Sequence, residues 1–150
     1  MPTVMRWIFS SPAKIDHDLV VGAIQQAEKR TSGQIQVLIA RHRAPNPVAA
    51  ALRHFHKLGM DKSRHRNAVL IFVAPRSRTF AVIGDRGIHE KCGEGFWKEL
   101  ALAMGERFKR GDFTAGLLHG IERAGALLAE HFPPDQDREN KPTDVVKDVD

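Results

Sequence analysis

Residues 68–84 read AVLIFVAPRSRTFAVIG, and how this stretch divides decides the fold. Residues 68–74 are continuously apolar and partly β-branched, which suits a strand covered on both faces. PRSR at 75–78 is a polar break, and TFAVIG at 79–84 resumes the strand pattern. A four-residue link between two such runs predicts an antiparallel hairpin. Upstream, QIQVLIA at 34–40 alternates and then runs apolar, with Ile35, Val37 and Ile39 on one side, and so reads as an earlier strand. Pro45-Asn46-Pro47 breaks the chain. Residues 48–60 then take helical spacing and bury Ala51, Leu52, Phe55 and Leu58. A helix between two strands predicts a parallel, right-handed crossover.

Helices flank this centre. Residues 16–31 place Leu19, Val20, Ala23, Ile24 and Ala27 on one face, and Ser32-Gly33 stops them. Residues 94–110 repeat the pattern with Phe96, Trp97, Leu100, Met104 and Phe108. Gly111-Asp112 punctuates, and Asp112 can cap a last helix reaching about His131. The order α-β-α-β-β-α-α predicts an α/β fold, an α/β/α sandwich around a small mixed sheet. One domain is expected over 1–132. Residues 133–150 are charged and poor in large apolar groups, the composition of a segment without order.

The 150 residues carry a formal charge of +5, unevenly spread. The segment 133–150 sets Asp135, Asp137, Glu139, Asp144, Asp148 and Asp150 against Arg138, Lys141 and Lys147, a net −3 that leaves +8 on residues 1–132. A basic body favours acidic partners. Cys92 is the single cysteine, so neither an internal disulfide nor a thiolate metal cage can form. No apolar run approaches a bilayer span, and MPTVMRWIFSS makes a poor signal peptide, so a cytoplasmic location is expected.

Topology gives the rims of the sheet different chemistry. If 79–84 runs against the other two strands, Asp85 shares a rim with Gly33-Gln34 and Arg66-Asn67. Arg41, Arg43, Arg76 and Arg78 fall at the other rim. Asp85 lies in VIGDRGIH, 82–89, between two glycines that permit positive φ or close backbone approach. It can contribute to the oxygen shell of a hard cation, with Gln34 as a neutral oxygen across the rim and Glu90 and Glu94 nearby. Equally, it can cap the helix that follows or make an Asx turn.

Other constellations are weaker. His54 and His56 lie on different sides of their helix, and no HExxH is present. Cys92 reads as an inert thiol, and no GxSxG, Walker loop or GxGxxG occurs. The pairs Arg41/Arg43, Arg64/Arg66 and Arg76/Arg78 suit phosphates, but no aromatic platform interleaves with them. A solvated face is the simpler reading, and nucleic acid ranks last among partners.

The ordered set TSG at 31–33, RNAVLIFVA at 66–74, GDRGI at 84–88 and FKRGDFTAGL at 108–117 resembles the TPM-domain family, over about residues 16–132. That family includes thylakoid-lumen phosphatase-like and photosystem II repair proteins. The resemblance implies an α/β/α sandwich, a proposed acid phosphatase activity, and a calcium or magnesium site at the loop ending the third predicted strand. Carried over, that loop is Gly84-Asp85-Arg86-Gly87, with Asp112 of the GDF segment as a second metal candidate. Relatives often carry an acid where this chain has Gln34, a departure that weakens a hard-cation site. Relatives also travel with membrane-associated partners, which implies docking to a membrane protein without a span of its own.

Two functions follow. The first is an accessory module that binds a protein partner and takes a divalent cation at Asp85, Gln34 and Asp112. The alternative is a metal-assisted acid phosphomonoesterase. Hydrolysis needs a nucleophile with an acid, or a two-metal clamp, and only one carboxylate here is convincingly placed, so the module reading stands first.

Overall fold

The computed structural model describes residues 3–6, 15–134 and 146–149, and side chains over 15–134. The elements are β1 (Thr3–Arg6), α1 (His17–Glu28), β2 (Gln34–Ala40), α2 (Pro47–Lys57), β3 (Ala68–Ala74), β4 (Thr79–Gly84), α3 (Arg86–Lys109), α4 (Phe113–His131) and β5 (Val146–Val149). A short 3-10 turn, Met60–Lys62, follows α2. The strands form one sheet in the order β1-β4-β3-β2-β5. β2 and β3 are parallel, with Gln34 beside Ala68, and β3 and β4 are antiparallel, with Val69 beside Gly84. The crossover and the hairpin expected from the sequence are both present.

Alternation along the strands divides the core. Ile35, Val37, Ile39, Val69, Ile71, Val73, Phe80 and Val82 face α1, α3 and α4. Leu38, Leu70, Phe72, Ala81 and Ile83 face α2, meeting Ala51 and Phe55. All seven residues of β3 are buried, as its unbroken apolar run requires. Trp97, Phe72, Phe80, Phe108 and Phe113 are the largest fully buried side chains. Each supplies about 1.5–3 kcal/mol of transfer free energy.

Several expectations change in detail. Leu19 is 55% exposed rather than on the buried face of α1. It lies in the first turn, where Asp16 caps the helix by accepting from the Leu19 N–H, and the buried stripe begins at Val20. The helix expected over 94–110 begins earlier, at Arg86, and is interrupted at Gly93, whose φ of 70° and ψ of −171° are not helical. The periodic stretch is thus its second segment. The four-residue strand β1, TVMR, lacks length enough to show a period and was not legible. In the tail read as lacking order, VKDV at 146–149 runs as β5 parallel to β2, with Val149 beside Ala40. The rest of that expectation, over 135–145, lies outside the described residues.

Candidate functional site

The register confirms the two rims. Gln34 pairs with Ala68, and the Asp85 N–H donates to the Ala68 carbonyl at 3.0 Å. Asp85, Gln34 and Asn67 therefore share one rim. Asp85 is 6% exposed and stands at the N-cap of α3, where Oδ1 accepts from the Arg86 N–H at 2.8 Å. Arg66 reaches the same carboxylate as a fork. Its Nε donates to Oδ2 at 2.8 Å and its Nη2 to Oδ1 at 2.9 Å. Planar guanidinium and carboxylate match in this way, and each bond is charge-assisted. Arg66 is presented from a left-handed backbone, φ 50°. Its carbonyl in turn accepts from the Gly87 N–H at 2.9 Å.

The glycines of GDRG serve close approach, not positive φ. A Cβ on Gly87 would lie 2.2 Å from the His65 carbonyl oxygen, and one on Gly84 would lie 2.4 Å from the Trp97 ring. The other motif residues at this rim are similarly tied. Thr31 Oγ1 donates to the carbonyls of Leu128 and Phe132 at the end of α4. The Ser32 N–H donates to the Phe132 carbonyl at 3.0 Å, and Asn67 Nδ2 donates to Ser32 Oγ at 3.1 Å. The buried Glu28 accepts the Ile35 N–H at 2.8 Å. TSG, RN and GDRG thus knit α1, α4, β3 and α3 together at one end of the sheet.

The three sequence-predicted ligands do not converge. Gln34 and Asp85 sit on strands separated by β3, so their backbones are about 10 Å apart. Gln34 Nε2 is buried with no hydrogen-bond partner. Asp112 is exposed, precedes α4, and makes no side-chain capping bond. The 19 residues of α4 separate it from Phe132 at the Asp85 rim, about 28 Å of helix. Glu90 and Glu94 are exposed on α3. A hard cation needs six or so converging oxygens, whereas here a guanidinium occupies the carboxylate. Among the described residues no three His, Cys, Asp or Glu side chains group as metal ligands. These residues do not fit the calcium or magnesium site that the resemblance implies. His56 Nδ1 bonds Asp61 Oδ2 at 3.0 Å and His54 stacks on Phe72, so the helix histidines are spoken for. Burial pushes the Cys92 thiol pKa up, and its Sγ donates to the Ile88 carbonyl, consistent with an inert thiol.

The opposite rim was legible as charge but not as a cavity. Arg41, Arg43, Arg76 and Arg78 are all exposed on the loops after β2 and β3. A crevice of about 160 Å³ opens between those loops, lined by Arg43, Pro45, Ser77 and Thr79. Its walls are braced: the Ala44 N–H donates to Ser77 Oγ at 3.0 Å, and Thr79 Oγ1 donates to the Ala44 carbonyl at 2.8 Å. Nothing in the spacing of RSRT announces that brace, since its partner is 35 residues away.

Comparison with known proteins agrees with this fold. The TPM domain pattern matches residues 14–127. No curated protein matches the chain. The solution structure of the BA42 protein from the psychrophilic bacterium Bizionia argentinensis is similar at 38% identity and a TM-score of 0.78, over 87% of this chain and 91% of that one. With TSG, RN and GDRG locked into one end of the sheet and the match spanning nearly all of the folded body, the chain belongs to the TPM-domain family.

Proposed function

We propose that the protein is a non-catalytic interaction module that docks to a protein partner. The observation that carries this reading is the use made of Asp85. Both of its oxygens accept hydrogen bonds from within the fold, from Arg66 and from the Arg86 N–H. A carboxylate held by a two-point guanidinium fork is a brace, and anchoring a cation there would first require Arg66 to leave. The exposed chemistry lies at the other rim, where Arg43 lines a crevice and Arg41, Arg76 and Arg78 stand exposed on the same two loops, an edge suited to receiving charge of opposite sign. Among the described residues no helix is long and apolar enough to cross a membrane, so a membrane-associated partner would be met at the protein's surface.

The test compares wild type with Asp85→Asn. Calcium and magnesium are titrated by calorimetry, and turnover of p-nitrophenyl phosphate is followed at acid and neutral pH with and without chelator. The expected result is no saturable cation heat and no turnover that responds to the substitution. Hydrolysis that needs metal and disappears in Asp85→Asn would instead establish the phosphomonoesterase reading.

A further inference from the structure

The cationic rim carries an inference that rests on the docking reading and names the partner's chemistry. The loops that follow β2 and β3 lie at the carboxyl ends of two parallel strands, where α/β sheets commonly present their ligand crevices. Arg43, Arg76 and Arg78 make no ion pair among the described residues and are exposed. The N-terminus of α2 adjoins them; Asn46 Oδ1 caps it by accepting from the Ala49 N–H, and no acid in its first turn opposes an anion.

The distribution of charge selects the kind of anion. On each loop the arginines stand two residues apart, 41 with 43 and 76 with 78, and the loops continue neighbouring strands. This spreads cations along an edge two strands wide, with one crevice of about 160 Å³ in it. A small anion calls for donors converging on a single point. An extended acidic segment, with carboxylates at every second residue about 6–7 Å apart, matches a spread edge, and one of its side chains fits the crevice.

We propose that the edge formed by the 41–46 and 75–79 loops docks an acidic, extended segment of a partner protein. The sequence of residues 143–150, in which Asp148 and Asp150 are two residues apart, supplies a peptide of that chemistry.

The experiment uses the full chain and, as probe, a fluorescent peptide of the tail sequence TDVVKDVD, with TNVVKNVN as its uncharged counterpart. Anisotropy is read at physiological salt. The acidic peptide should bind and the Asn peptide should bind at least about tenfold more weakly, the loss expected for charge-assisted contacts. Arg43→Glu with Arg76→Glu should abolish binding, and because both side chains are exposed the fold is retained, checked by an unchanged melt. Equal affinity for the two peptides, or indifference to the arginine substitutions, would overturn the docking edge. Inorganic phosphate binding at the crevice without peptide binding would replace it with a small-anion site. None of these outcomes bears on phosphomonoester turnover, so the module reading and this one fail separately.

Discussion

Arg66 and Asp85 show how one ion pair can have unequal ends. The Asp85 side chain is 5% exposed and that of Arg66 is 32% exposed. Removing Asp85 loses a helix cap and leaves a guanidinium that can turn to water, so Asp85→Ala costs about 1–2 kcal/mol. Removing Arg66 strands a buried carboxylate with only the Arg86 N–H as donor. Breaking a pair from the side that leaves the buried charge is the worse case. Urea unfolding should therefore place Arg66→Ala below Asp85→Ala in midpoint; the reverse order would mean that the carboxylate is not dependent on its fork. At this scale the sequence was half legible. The acid between two glycines was visible, as was its rim, but its partner lies 19 residues away and comes to it only because β3 and β4 pair.

At the scale of elements, α3 carries a break that its sequence encodes in one residue. Gly93 adopts φ 70° with ψ −171°, a region open essentially only to glycine, although a Cβ there would meet no neighbouring atom. The cost of substitution is thus conformational and not steric. Gly93→Ala should destabilise by about 1–3 kcal/mol. A melt within error of wild type would show that α3 can straighten without penalty. The same break explains why helical periodicity was evident from residue 94 but not through 86–92. Phase is lost at Gly93, so a single pattern cannot run across it. The short edge strands were illegible for a different reason: four residues such as TVMR or VKDV pair because a free sheet edge lies beside them.

For the molecule as a whole, the packing of α3 against α4 makes stability depend on pH. A groove of about 190 Å³ there is lined by Phe96, Glu99, Leu100, Ala103, His119 and Arg123. Burial lowers the His119 pKa below its ordinary value, reinforced by Arg107 and Arg123 and opposed by Glu122. The unfolded chain then binds this proton more readily than the folded one. Its contribution is complete above about pH 6.5, the unfolded value. It is lost as pH falls through the depressed folded pKa. His119→Gln should flatten the melting temperature between pH 7 and 5, while the Asp61 carboxyl, held down chiefly by its hydrogen bond to His56, acts only at lower pH. A slope unchanged by the substitution would assign the dependence elsewhere.

The sequence by itself determined the order of the central elements, the parallel and antiparallel pairings and most of the core. These follow from runs of apolar residues and from turn residues, which are local properties of the chain. It also determined that Asp85 and the loop arginines lie at opposite rims, because strand direction alone fixes that. Only the tertiary structure decided what each rim offers. Whether a carboxylate is free or braced, and whether a cationic rim is only a diffuse face or also holds a crevice, depends on side chains brought together from distant positions, and contact between them is a property of packing that no local pattern records.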